Sequence, residues 1–316
     1  MSGHVLALSG GVGGAKLAAG LAAVLPPERL TIAVNTGDDF EHLGLTICPD
    51  IDSVVYALVG LNDTQRGWGV TGETWQAMAM LKALGEKGWF NLGDRDLGMH
   101  IARSWRLRGG ESLSEVTARL TRGLGIAHPV VPMSDDPLRT QVLTEAGWTD
   151  FQRWFVELQC GPELKGIRFA GAPGAAPAPG LLAALERPDL AAVVLCPSNP
   201  FLSVDPILAV DGVRDRLLSL QVPRIAVSPL VGGKAVKGPL SKLLAERGQG
   251  EDNIAIAKHY GPLVGHMVID SGDARDEPGL RALGLEVVVM PTLMKQAEDR
   301  ARLAQAVLRA AGLEQD

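Results

Sequence analysis

Several stretches of this sequence bring together groups that can do chemistry. The short apolar run that ends in Ser9 is followed by Gly10, Gly11, Gly13 and Gly14, and then by Lys16. A glycine turn between a strand and a helix lets backbone approach a phosphate closely, and the helix start directs free N–H groups and a partial positive charge at it. Leu17 follows Lys16 where a Walker motif needs Ser or Thr. Lys16 itself stands where a dinucleotide motif needs its third glycine. The stretch therefore reads as a Rossmann-like phosphate turn of neither standard type, with a ligand-free tight turn as the alternative.

A second group is acidic. Asn35, Thr36, Asp38 and Asp39 close an apolar run, and Asp50 and Asp52 follow a few residues on. Carboxylates at the edge of an α/β sheet suit a hard cation such as Mg²⁺, which takes one or two of them together with substrate phosphates. Four crowded carboxylates repel one another unless a cation or ligand donors relieve them. Helix capping would account for Asp50 alone, and for Asp38 or Asp39.

Further along, Asn91–His100 holds Asp94, Arg95, Asp96 and His100, for which a helix cap and a surface ion pair are the plain reading. Met133–Pro137 reads as a turn before a strand, and spacing does not bring its carboxylates Asp135 and Asp136 to the site. Two later loops each follow an apolar run. One carries Ser198 and Asn199, suited to a base or a phosphate. The other carries Gly232, Gly233, Lys234 and Lys237 ahead of a helix, and is a second anion cradle unless its lysines are simply solvated. Trp68, between Gly67 and Gly69, is placed to stack on a flat ring. No Ser/His/Asp order, HExxH or CxxC pattern is present, so the expected chemistry is centred on metal and phosphate.

The elements that must position these groups alternate. Strand-like runs fall at Val5–Leu8, Leu30–Asn35, Ala192–Cys196, Arg224–Ser228, His266–Ile269 and Glu286–Met290. Helical patterns fall at Ala15–Leu25, Asp205–Leu220, Pro239–Arg247, Gly279–Leu283 and Lys295–Ala310. Continuous apolar strands alternating with helices predict an α/β fold, Rossmann-like and doubly wound around a mainly parallel sheet. The span 66–128 is expected to be a mainly helical insertion (Glu73–Leu84, Leu97–Trp105, Ser112–Leu124) within one domain over 1–316. Ser112 and Glu115 form a capping-box pattern. Val130–Ala146 reads as a strand and then a hairpin, and Gly171–Gly180 as a surface loop.

The 316 residues carry a net charge of −6 and are 46% hydrophobic. That supports a full core and shows no basic patch for nucleic acid. Cys48, Cys160 and Cys196 are scattered, which fits neither a disulfide framework nor a zinc site and suits core positions. Neither a signal peptide nor a membrane-spanning run is expected, so the chain reads as cytoplasmic.

Taken together, SGGVGGAKL (9–17), VNTGDDFEHLGL (34–45), CPDIDSVVY (48–56), RGWG (66–69), LGDRD (92–96), PMSDDP (132–137), PSNP (197–200), SPLVGG (228–233) and GPLSKLL (238–244) resemble the 2-phospho-L-lactate transferase family of coenzyme F420 biosynthesis, CofD in bacteria and archaea and FbiA in mycobacteria. LGDRD and PMSDDP are the most diagnostic. The resemblance implies transfer of a phospho-three-carbon acid (phosphoenolpyruvate, 2-phospho-L-lactate or 3-phosphoglycerate) from its guanosine diphosphate derivative to the hydroxyl of the deazaflavin Fo. GMP leaves and F420-0 or an analogue forms. It also implies Mg²⁺ as cofactor and a homodimer. Mapped onto this chain, it makes Gly10, Gly11, Gly13, Gly14, Lys16, Ser198, Asn199, Gly232 and Gly233 nucleotide- and phosphate-binding, and Asp38, Asp39 and Asp50 metal-binding. Asp52, Asn91 and Trp68 would bind Fo, and Asp50 and Asp52 would be catalytic. Asn91 departs from the family's frequent lysine and puts a neutral group in place of a charge.

Two rivals deserve tests. A nicotinamide oxidoreductase is disfavoured by the missing third glycine and by Asn35, where an acidic ribose anchor belongs. A nucleotide-sugar-binding regulator of the gluconeogenesis-factor type shares the fold and the glycine-rich start but lacks the LGDRD block.

Overall fold

The computed structural model describes residues 3–248 and 250–313, so the ends of the expected 1–316 span lie outside the described residues. Seven strands make one all-parallel sheet: β1 (His4–Ser9), β2 (Leu30–Val34), β3 (Val130–Pro132), β4 (Leu190–Leu195), β5 (Arg224–Val227), β6 (His266–Asp270) and β7 (Glu286–Met290). Their spatial order is β7-β6-β5-β4-β1-β2-β3. All six expected strands are present to within a residue or two, and β3 is the strand expected near Val130.

Burial on both faces explains why these strands read as unbroken apolar runs. Leu6 and Leu8 of β1 join a core with Leu181, Phe201 and Leu217. Their neighbours Val5 and Ala7 enter a second core with Leu17, Leu21, Val54, Leu303 and Val307. Each fully buried Leu or Val contributes about 1.5–3 kcal/mol of transfer free energy, so the two cores hold the sheet rigidly between its helical layers.

The winding reverses between β1 and β4. From β1 the chain steps through β2 to β3 on one side, and from β4 through β5 and β6 to β7 on the other. Such a switch point opens a crevice beyond the carboxyl ends of the two strands, where open α/β sheets bind ligands.

Helix α1 (Gly11–Val24) follows β1 and begins four residues before the expected Ala15, with Gly11 left-handed (φ 62°) at its start and Gly13 and Gly14 within its first turn. Helix α2 (Pro49–Leu58) follows a small antiparallel hairpin, Phe40–His42 with Leu45–Ile47, that turns through left-handed Leu43 (φ 51°) and Gly44 (φ 70°). Helices α3 (Gln76–Ala83), α4 (Asp94–Arg108) and α5 (Leu113–Gly123) occupy the region expected to be helical, and the Ser112–Glu115 capping box forms. Phe40, Ile47, Met78 and Leu92 make a satellite core beneath them.

Three expectations need correction. The helix expected over Asp205–Leu220 is two short helices, Asp205–Leu208 and Val213–Ser219, because Gly212 turns left-handed (φ 67°) between them. The 171–180 loop is not all surface, since Ala175 and Ala178 are buried. The expected hairpin, Arg139–Thr144 with Gly147–Asp150, gains a third strand, Gly166–Ala170. Among the described residues no helix is long and apolar enough to cross a membrane.

Candidate active site

A cavity of about 590 Å³ opens at the switch point. One wall is the turn from β1 into α1: Gly10, Gly11, Val12, Gly13 and Lys16. Facing it is the loop after β4, with Pro197, Ser198, Asn199, Leu202 and Ser203. The two are stitched together. Ser198 Oγ accepts the Gly10 N–H at 3.2 Å and donates to the Gly10 carbonyl at 2.8 Å. The fit explains the glycines more sharply than ligand approach does: a Cβ on Gly13 would lie 2.3 Å from the Pro197 carbonyl oxygen. Asn199 Oδ1 caps the N–H groups of Phe201 and Leu202, while its Nδ2 is buried without a partner. Lys16 Nζ donates to the Met294 carbonyl at 2.9 Å. Burial, then Arg300 and Lys237, hold its pKa below the usual lysine value.

The acids divide. Asp50 lies in the first turn of α2 but does not cap that helix. Its Oδ1 accepts the Gly11 N–H of α1 at 2.7 Å, and its Oδ2 accepts from Asn35 Nδ2 at 2.9 Å. Asp38 also lines the cavity, and its Oδ1 is buried with no partner. Burial, then the neighbouring Asp50 and Asp39 charges, push the Asp38 pKa well above the carboxylate range. Burial raises Asp50 to about 6.

Asp39 and Asp52 stand away from the cavity. Burial raises Asp39 to about 7, opposed chiefly by Arg139 and also by Cys48 and Arg103. Asp52 is taken up by Arg103. Among the described residues no three His, Cys, Asp or Glu side chains gather in a metal-binding geometry. Of the expected Asp38, Asp39 and Asp50, the first and last line the cavity and Asp39 does not. Arg103 pairs with Asp52, whereas Asp39, like Asp38, keeps an Oδ1 buried without a partner. An orphaned carboxylate oxygen beside a second, raised carboxylate fits a hard divalent ion that also draws ligands from substrate phosphates.

Five aromatic side chains also line the cavity, Trp68, Trp89, Phe90, Phe151 and Phe155, with Asn91 and Gln152. Phe90 packs edge-on against Phe40 at 4.9 Å, and Phe155 stacks on Phe151 at 5.3 Å. Just beyond Asn91, the LGDRD segment is a brace between helices. Asp94 accepts from the Gln76 and Ala77 N–H groups at the start of α3. Glu73, just ahead of α3, accepts from the Arg95 and Asp96 N–H groups at the start of α4. Gly93 leaves room for that carboxylate, since a Cβ there would meet the Glu73 carboxyl carbon at 2.1 Å and displace it. PMSDDP is a second brace. Asp135 accepts from the Ser114 N–H, Asp136 from the Ala176 N–H, and Ser134 donates to the Ala176 carbonyl. Neither brace lines the cavity.

Of the residues singled out in the sequence, Gly10, Gly11, Gly13, Lys16, Asp38, Asp50, Trp68, Asn91, Ser198 and Asn199 meet around this space. Gly14 does not line it; it packs behind the turn, where a Cβ would press on the Ser198 and Ser9 hydroxyls. Gly232 and Gly233 lie outside as well, at the tip of a short hairpin (Leu230–Val231 with Lys234–Ala235) against Gly272. From that loop Val231, Val236 and Lys237 reach the cavity instead. Sequence reasoning missed Trp89, Phe90, Phe151, Phe155 and the Thr292–Met294 loop after β7. The adjacent Trp89-Phe90 pair just ahead of Asn91 was the available signal.

The fold is that of a doubly wound α/β protein with a glycine turn and five aromatic rings at one cavity. The family model for 2-phospho-L-lactate transferase CofD matches residues 5–291, and the chain belongs to that family and is a transferase. It is 38% identical over 312 residues to a phosphoenolpyruvate transferase of Kitasatospora aureofaciens, covering 96% of this chain and 97% of that one. It is 35% identical over 306 residues to a 2-phospho-L-lactate transferase of Methanosarcina mazei, covering 97% and 100%. Protein BH3568 of Bacillus halodurans, whose crystal structure covers 98% of this chain and 100% of its own at TM-score 0.64 and 17% identity, shares the fold.

Proposed function

We propose that the chain moves a phospho-three-carbon acid from its guanosine diphosphate derivative to the terminal hydroxyl of Fo. The acid is phosphoenolpyruvate, 2-phospho-L-lactate or 3-phosphoglycerate. The carrying observation is one cavity with two kinds of lining, the glycine turn with Lys16 and the Ser198–Asn199 loop, and five aromatic rings. One side suits a nucleotide diphosphate and the other a flat tricyclic ring.

The acceptor oxygen attacks the phosphorus that bears the three-carbon acid. A phosphodiester bond forms, the bond to the GMP phosphate breaks, and the hydroxyl proton is released. The first-turn N–H groups of α1 beyond Gly11, whose own goes to Asp50, hold the diphosphate with Lys16 and Lys237, and unpartnered Asn199 Nδ2 supplies one further donor. The aromatic wall and Asn91 orient the ring so that the hydroxyl meets phosphorus, with water displaced from the apolar side. Asp38 and Asp50 would hold Mg²⁺, which neutralises charge on the phosphates when bound. We further propose a homodimer in the cytoplasm.

The sugar-nucleotide regulator is not favoured, since the similar curated proteins carry transferase names. The test is to incubate the protein with Fo, Mg²⁺ and each of the three guanylylated donors, and to follow GMP and the deazaflavin product by mass spectrometry. One donor should give both in equal amounts. Binding of a nucleotide sugar with no turnover of Fo by any donor would reverse the choice.

A further inference from the structure

Helix α4 reaches from the insertion back to the acidic turn. Arg103, 1% exposed, forms a two-pronged ion pair with Asp52 of α2: Nη1 donates to Oδ2 at 3.1 Å and Nη2 to Oδ1. Nη1 also donates to the Thr46 carbonyl at 3.4 Å. Next to it, Ser104 Oγ accepts the Thr46 N–H at 2.8 Å and donates to the His100 carbonyl at 2.6 Å. Two consecutive residues of α4 thus grip Thr46 and the first turn of α2. Between those anchors lie Pro49 and Asp50, both of which line the cavity.

This grip is costly to build and intolerant of loss. A buried guanidinium survives only with its charge paired and its donors satisfied, and removing one partner strands the other. The network continues behind the pair. His100 Nδ1 lies 3.2 Å from Arg103 Nη1, His100 Nε2 lies 3.2 Å from Asp96 Oδ1, and the Tyr56 hydroxyl donates to that oxygen at 2.5 Å. Both Asp52 oxygens face Arg103 from outside the cavity, so this carboxylate is committed to the protein and not to a ligand.

We propose that Arg103 is a positioning residue for the transfer reaction: through Asp52 and Thr46 it fixes the segment that presents Asp50 to the Gly11 N–H and to the cation. The inference rests on the reading of Asp38 and Asp50 as the Mg²⁺ carboxylates. It reassigns Asp52 from acceptor contact to a brace acting through Arg103.

Calorimetric Mg²⁺ titration of the ligand-free protein tests it, alongside steady-state constants for Fo and donor. Arg103→Lys keeps the charge but cannot span both Asp52 oxygens and the Thr46 carbonyl. It should weaken Mg²⁺ binding by about tenfold or more, as loss of a supporting contact behind a metal ligand does. Its kcat should fall while the KM for Fo stays within about twofold. The double variant Arg103→Met with Asp52→Asn removes both buried charges and should bind Mg²⁺ more tightly than Arg103→Met alone.

Wild-type Mg²⁺ affinity in Arg103→Lys overturns the proposal. So does a raised KM for Fo with Mg²⁺ binding intact, which would return Asp52 to the acceptor. A wild-type protein that binds Mg²⁺ but turns over no donor would sink the transfer reading, while the calorimetry would still decide the role of Arg103.

Discussion

Asp38 and Asp50 are the two carboxylates that line the cavity, and the proposed function makes them the Mg²⁺ ligands. A ligand that binds only the folded state raises the unfolding temperature. Mg²⁺ should therefore raise the melting midpoint of the wild type, and Asp38→Asn or Asp50→Asn should abolish that rise. Each should also lower kcat by roughly 10²-fold, the usual cost of losing one charge-stabilising group. A full Mg²⁺ response in Asp38→Asn would contradict the assignment.

His4 gives a pH test away from the site. Its ring is buried, with Nδ1 on the Glu28 carbonyl at 3.0 Å and Nε2 on the Thr31 hydroxyl at 2.9 Å. Burial lowers its pKa below 6.5. The unfolded chain therefore takes up a proton before the folded one, and the His4 contribution is present above pH 6.5 and lost as pH falls through the folded value. The gap in melting midpoint between wild type and His4→Gln should narrow between about pH 7.5 and pH 5.5. A gap that widens on acidification would show the sign to be wrong.

Single residues also mark how far the sequence could be read. Gly13 and Lys16 were recognisable because a glycine turn after an apolar run has few other uses. Asp52 was not, because nothing in its neighbourhood announces Arg103, 51 positions away, as its partner. The four acids look alike in sequence, and only the fold sorts them: Asp52 pairs with Arg103, Asp38 and Asp50 line the cavity, and Asp39 is buried away from it.

Strands were legible for a physical reason: burial on both faces leaves no room for a polar side chain, so the runs are unbroken. The break at Gly212 was hidden because an apolar period continues across it, and the strand Gly166–Ala170 because it is only half-buried. The LGDRD segment was legible as a signature and misleading as chemistry. Asp94 caps α3, Asp96 accepts the Tyr56 hydroxyl and neither lines the cavity, while Trp89, Phe90 and Asn91 just ahead of the segment do. Glu73→Ala removes the acceptor for two N–H groups of α4. It should cost about 1–2 kcal/mol of stability in denaturant unfolding, and should raise the KM for Fo more than that for the donor. An equal rise in both would argue that the brace supports the whole cavity and not its aromatic side.

The molecule joins two functions at one switch point. The parallel sheet delivers the glycine turn and the loop after β4 to one side of the crevice, as in other doubly wound folds. The segments between the strands bring the aromatic side and, through α4, the grip on the acidic turn. Light scattering should give about twice the 33.3 kDa chain mass for the proposed homodimer; a single-chain mass at assay concentrations would exclude it.

The division of the cavity into a phosphate side and a ring side can be seen in one crystal structure of the protein with GDP, Mg²⁺ and Fo. The diphosphate should lie on the Gly10–Gly13 turn between Lys16 and Asn199, the ion should touch Asp38 and Asp50, and the deazaflavin ring should lie against Trp68, Trp89, Phe90 and Phe155. Density for the ring on the glycine turn, or for either ligand outside this cavity, would contradict the account.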